Sequence, residues 1–187
     1  MAAKTRYSAT DIEIGPLSTE EDLVGFSCGN DKLDDFFHKE VVLCCKYKYL
    51  TAYSVKYRKT GEIIAMFTLS NDALVLEEDD VKELMDGIDE EYKFIFEMQS
   101  SFPSVNIGHL AVRKDLQSKG IGELIILYIM SFLLSYKLSG VQFITVDSLN
   151  NNRTNKFYSQ NGFLFQTIKD IQNDTRRMFL PLIELLQ

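Results

Sequence analysis

The sequence predicts an α/β protein built on one mixed sheet, and three observations lead there. Two apolar-rich runs, Thr51 to Tyr57 and Ile63 to Ser70, flank the polar turn Arg58-Lys59-Thr60-Gly61 and read as an antiparallel hairpin. In the middle of the chain, Val105 to Val112 reads as a strand and Gly122 to Tyr136 as an apolar helix. Val141 to Val146 then forms a nearly continuous apolar run, the pattern of a strand covered on both faces. Hairpin signals followed by strand–helix–strand signals predict a mixed sheet flanked by helices. With 187 residues, 45% apolar and 25% charged, the expectation is a single domain over 1–187. No repeat, low-complexity run or linker marks a boundary.

The remaining elements follow in order. Asp11 to Ile14 is a short strand closed by Gly15-Pro16, and Ser18 to Glu21 has capping-box spacing that predicts a helix start. Asp31 to Lys46 is predicted as a helix. Leu33, Phe36, Phe37, Val41, Cys44 and Cys45 recur on it at three- and four-residue spacing. Glu77 to Met98 reads as an acidic amphipathic helix, with Glu77 to Asp80 favourably placed at its positive end. Asn151 to Gln160 is a short helix stopped by Asn161-Gly162. Phe163 to Ile168 and Arg177 to Leu182 close the chain as a pair of strands.

Composition excludes several classes. A net charge of -7 argues against a whole-surface nucleic-acid footprint, which needs clustered positive charge. Locally, Lys46-Tyr47-Lys48-Tyr49 interleaves basic and aromatic residues, and reads first as a solvated helix end. Cys28, Cys44 and Cys45 form no CxxC and have no ligand spacing with His38 or His109, so no metal site is expected. The N-terminus carries no signal-peptide run, and Leu124 to Leu134 is too short to span a bilayer. The protein is expected to be soluble and cytoplasmic, with no membrane association.

The chemistry concentrates in Gln117-Ser118-Lys119-Gly120-Ile121-Gly122, between a strand and a helix. Its two glycines let the backbone turn tightly and let N–H groups approach an anion without a Cβ in the way. The helix that follows adds its positive end, so the loop suits a phosphate. The pattern is not a P-loop, since GK[ST] is missing. It is not a dinucleotide fingerprint either, since Ile125 stands at the third glycine position.

The larger pattern is more specific. Leu110-Ala111-Val112, then Gln117, then Gly120-Ile121-Gly122 resembles the acetyl-CoA-binding motif of the GNAT N-acetyltransferases. Asn151-x-x-Thr154-x-x-Phe157-Tyr158-x-x-x-Gly162-Phe163 is similar to the family's downstream motif. Thr154 stands where alanine is usual. The resemblance covers about Asn106 to Phe165. It implies a GNAT fold, a mostly antiparallel sheet of six to seven strands splayed beside the motif strand. It further implies acetyl-CoA as cosubstrate. The main chain of Leu110, Ala111 and Val112 would pair with pantetheine. The amides of Gln117, Ser118, Lys119, Gly120, Ile121 and Gly122 would take the pyrophosphate. Asn151 and Phe157 would line the cofactor arm, and Tyr158 would protonate the departing thiolate. No carboxylate stands where some family members keep a general base; Asn106 is there instead, and His109, read first as a structural histidine, is the remaining candidate base.

Phe26-x-Cys28-Gly29-Asn30-x-x-Leu33-Asp34-x-Phe36 and Ala65 to Ser70 resemble a GNAT subgroup. It contains the toxins of toxin–antitoxin pairs, which acetylate the amino group of aminoacyl-tRNA. His109 stands where arginine is frequent in that subgroup. The main expectation is acetylation of a primary amine on a small molecule or peptide. The runner-up is aminoacyl-tRNA, with tRNA and an antitoxin protein as partners. A non-catalytic acyl-CoA-binding module is the third reading. A homodimer accords with the family.

Overall fold

The computed structural model describes residues 6–18, 23–77, 93, 96, 99 and 101–182. After a 3-10 turn at Ala9–Asp11, strand β1 (Ile12–Pro16) pairs antiparallel with β2 (Thr51–Tyr57), from Ile12↔Tyr57 to Pro16↔Tyr53. β2 pairs antiparallel with β3 (Ile63–Leu74) as the hairpin pattern requires. Gly61 closes the turn with φ +74°, a left-handed conformation that glycine adopts without Cβ strain. β3 runs past its expected end at Ser70 to Leu74. Asn71 and Asp72 read as loop residues, yet the pleat continues and buries Leu74.

β4 (Phe102–Val112), β5 (Phe143–Leu149), β6 (Leu164–Phe165) and β7 (Thr175–Pro181) complete a sheet of order β1-β2-β3-β4-β5-β7-β6. β4 and β5 are parallel, registered from Ser104↔Phe143 to Asn106↔Thr145. β5 with β7 and β6 with β7 are antiparallel. This is the mixed, mostly antiparallel seven-stranded sheet of a GNAT fold. The parallel β4–β5 pair requires a crossover, which the helix between them supplies.

The chain divides into two compact units, residues 1–70 with 107–135 and residues 71–106 with 136–187. In the first, the stretch expected as one helix becomes α1 (Asp31–Asp35), a π turn (Phe36–Glu40) and α2 (Val41–Lys46). The Val41 N–H reaches back to the Phe36 carbonyl, five residues away, which inserts one extra residue into the turn. The expected apolar stripe still faces inward. Phe37 and Val41 are buried with Phe26, Met66 and Ala111, and Leu33, Phe36, Cys44 and Cys45 pack against them. α3 (Ile121–Ser135) buries Ile121, Ile125, Ile126, Ile129 and Leu133.

In the second unit, Leu74, Phe96, Phe102, Phe143 and Phe179 form the core, with Phe143 edge-on to Phe96, Phe102 and Phe179. α4 (Asn152–Gln160) follows β5. β6 is much shorter than Phe163 to Ile168. Buried Arg176 lays its guanidinium over the Phe165 ring and donates to Asp170 Oδ1 at 3.0 Å and to the Thr167 carbonyl at 2.9 Å. These contacts hold the chain beyond Phe165 as a loop. The expected helices at Ser18 to Glu21 and Glu77 to Met98 fall mostly outside the described residues.

Candidate functional site

In the first unit the loop after β4 is held from both ends. The Arg113 N–H donates to the Ile64 carbonyl and the Lys114 N–H to the Ser27 carbonyl, each at 2.9 Å. Leu116 is buried below a single 3-10 turn. The Gln117 side chain does not reach outward. Its Nε2 donates to the carbonyls of Val112 at 3.0 Å and Cys28 at 2.8 Å, tying the strand end to a neighbouring loop. Ser118 (φ +60°) and Gly120 (φ +86°) are both left-handed, and between them the chain turns directly into α3. The first-turn N–H groups of a helix have no intrahelical acceptors, and the buried isoleucines fix where these point. This donor set suits a pyrophosphate: backbone amides at the positive end of a fifteen-residue helix.

The loop that braces Gln117 is itself organised by Asp34. Its carboxylate accepts from the Ser27 hydroxyl at 2.7 Å, the Cys28 N–H at 2.8 Å and the Gly29 N–H at 3.3 Å. Burial pushes the Asp34 carboxyl up, but these donors together with the Cys28 thiol outweigh it and hold the group below the usual range. Burial first, and then Asp34, push the Cys28 thiol up to about 11, which leaves it protonated and unreactive. Asn30, which the sequence offers as the cap of this helix, accepts from the Leu33 N–H with its side chain and fixes the end of the loop before α1.

His109 lies on β4 just before Leu110 and is half-buried. Its ring stacks on Phe36, centroids 3.6 Å apart and 9° from parallel, and meets Phe37 edge-on at 6.1 Å. Nδ1 shares a hydrogen bond with the Thr68 hydroxyl at 3.0 Å. Burial lowers its pKa, so at neutral pH the imidazole is uncharged and able to accept a proton. Of the strand residues beside it, Ala111 points into the core and Leu110 and Val112 are half-buried.

In the second unit Asn151 caps α4. Its Oδ1 accepts from the Thr154 N–H at 3.0 Å and the Thr154 hydroxyl at 3.1 Å. The threonine thus gives the cap a second hydrogen bond that alanine would lack. Tyr158 is 6% exposed, wedged edge-on between Phe157 at 5.0 Å and Phe163 at 5.2 Å. Burial drives its phenol well above the ordinary value of 10, so the O–H stays protonated throughout the working pH range. Leu110 to Gly122 therefore belong to the first unit, and Asn151, Phe157 and Tyr158 to the second. Asn106 donates to the Thr145 hydroxyl at 3.2 Å, and Thr145 in turn donates to Asp72 at 2.5 Å.

A family model described as an acetyltransferase (GNAT) domain matches residues 70–164, just over half of the chain. The chain belongs to the GNAT acetyltransferase family. It is an acyltransferase with acetyl-CoA as cosubstrate. Among solved structures, this GNAT domain is similar to AtaT complexed with acetyl-methionyl-tRNAfMet, at 25% identity over 94% of this chain and 99% of that one, TM-score 0.73. It is similar to AtaTR bound with acetyl-CoA, at 25% identity over 95% and 98% of the two chains, TM-score 0.72. A mutant of KacT shares the fold at 21% identity over 95% and 99%, TM-score 0.74. Comparison with curated protein sequences gave no match. Among the described residues no helix is long and apolar enough to cross a membrane.

Proposed function

We propose that this GNAT domain acetylates the amino group of an aminoacyl-tRNA. The observation that carries the reading is its likeness, along nearly the whole of both chains, to AtaT in complex with acetyl-methionyl-tRNAfMet. By the same reasoning its inhibitor is an antitoxin protein. A mutant AtaT toxin bound to the C-terminus of the antitoxin AtaR is similar at 26% identity over 94% of this chain and 98% of that chain. The exposed pair Tyr47 and Tyr49, 72% and 75% accessible beside Lys46 and Lys48, supplies local positive charge and ring faces on a chain of net charge -7.

The chemistry runs through one tetrahedral intermediate. The amides of Gln117 to Gly122 hold the pyrophosphate, and the main chain of Leu110 to Val112 pairs with the pantetheine arm like an added strand. The neutral α-amine of the acceptor attacks the thioester carbonyl carbon. The Val112 N–H steadies the oxyanion. His109, uncharged, accepts the proton that the attacking nitrogen loses. As the C–S bond breaks, the Tyr158 O–H donates to sulfur, and coenzyme A leaves as the thiol.

The test is transfer of radiolabelled acetyl from acetyl-CoA to charged total tRNA, run beside a panel of small primary amines and peptides. Label on aminoacyl-tRNA, and growth arrest on expression that Tyr158→Phe relieves, are the expected results. The net charge of -7 favours the second reading, a small amine or peptide acceptor. Label only on the amine panel would establish that reading.

A further inference from the structure

The residues before β1 cross the loop that the pyrophosphate reading assigns to the cosubstrate. The Tyr7 N–H donates to the Lys119 carbonyl at 3.0 Å, and the Tyr7 ring sits edge-on to Tyr57 at 5.5 Å, which holds this segment in place. One residue earlier, the Arg6 side chain lies across Gly120. A Cβ built on that glycine would come within 2.9 Å of Arg6 Nε and 3.0 Å of Arg6 Cγ. The Arg6 guanidinium then pairs with the carboxylate of Glu123, in the first turn of α3.

The charge arrangement is informative. A carboxylate in a first turn favours the helix by itself, because it faces the positive end. It opposes a pyrophosphate bound to the same turn, because two anions then compete for one set of donors. Arg6 cancels that charge where it matters. The Arg6 side chain is 67% accessible, so the cation also has room to turn toward an arriving phosphate. A guanidinium can bridge a carboxylate and a phosphate oxygen through separate N–H groups.

We infer that Arg6 is a further cosubstrate-binding residue: it neutralises Glu123 and presents a cation to the pyrophosphate of coenzyme A above Gly120. This rests on the assignment of the 117–122 loop to the pyrophosphate. No local motif in the sequence announces it. Gly120 acquires a second requirement besides its backbone angle, because any side chain there would displace the arginine.

The experiment is calorimetric titration of coenzyme A into the wild type, Arg6→Ala, Arg6→Lys, Glu123→Gln and the Arg6→Ala/Glu123→Gln pair, each at low and at physiological salt. Arg6→Ala is expected to weaken binding about tenfold at low salt and less at physiological salt, since exposed charges are screened. Arg6→Lys should keep part of the affinity. Glu123→Gln alone should tighten binding, and added to Arg6→Ala it should recover part of the loss. Binding by Arg6→Ala within twofold of the wild type would overturn the inference, as would a loss that is the same at both salt concentrations and is not even partly repaired by Glu123→Gln, for then Arg6 only braces the segment. If the wild type binds no coenzyme A, the pyrophosphate reading itself falls and this inference with it.

Discussion

The Gln117 side-chain amide donates to the Val112 carbonyl at 3.0 Å, closing a ring between the end of β4 and the loop that leads into α3. The same nitrogen holds the Cys28 carbonyl. On the proposed assignment of the site, Gln117 is thus a positioning residue for two of its pieces, the strand end and the turn. Gln117→Ala removes both hydrogen bonds, each worth about 1 kcal/mol. The expected result is a KM for acetyl-CoA raised roughly tenfold with a smaller change in kcat. An unchanged KM would contradict this role.

Tyr158 separates packing from chemistry. Tyr158→Phe keeps the ring between Phe157 and Phe163 and removes only the hydroxyl, so melting should shift little while acetyl transfer falls about 10²-fold. The direction of its pKa adds a second expectation. Because burial raises the phenol above 10, the alkaline side of the wild-type rate profile should show no loss from Tyr158 ionisation below pH 10. Stopped-flow rates across that range check it.

His109 links stability to pH in a definite direction. Burial lowers its folded pKa below the unfolded value of 6.5. As pH falls, the unfolded chain therefore takes up this proton first. The contribution is full above pH 6.5 and is lost as the pH drops toward the folded pKa. His109→Phe retains a ring to stack on Phe36 but cannot titrate. Its melting temperature should decline less between pH 7 and pH 5 than that of the wild type, read by thermal scans in parallel.

Asn151 can be tested as a cap apart from any contact with the cosubstrate. Asn151→Ala loses the acceptor for the Thr154 N–H and hydroxyl, at a cost of about 1 kcal/mol. A melting temperature lower by roughly 2–4 °C is expected for a chain of this size. Asn151→Asp should preserve the cap. An aspartate variant as unstable as the alanine variant would refute the assignment.

Much of the fold is visible in the sequence because it depends on local pattern. Thr51 to Tyr57 is an apolar-rich run beside a polar turn and is β2; the isoleucines of α3 recur at helical spacing and are buried. What escapes depends on partners far away in sequence. Asn71 and Asp72 read as loop residues because nothing local reveals that β3 keeps its pleat as far as Leu74. Phe163 to Ile168 reads as a strand because nothing local reveals that Arg176 will pin its second half. Of the proposed site residues, the glycines, Asn151 and Tyr158 stand out by motif; Asp34 and Thr68 fall within the subgroup pattern, but their hydrogen bonds, like the contacts of Arg6, exist only once folding brings distant partners together.

The π turn at Phe36–Glu40 makes this part of the chain sensitive to length rather than to composition. An in-frame deletion of a single codon there would let Val41 bond four residues back and restore a regular α-helix. That would rotate everything C-terminal to it by about 100° relative to α1. Phe36 and Phe37, neighbours in sequence, could then no longer meet two sides of the His109 ring while Val41 stays in the core. A natural or engineered variant is therefore expected to accept exchanges among apolar residues here far more readily than the gain or loss of one.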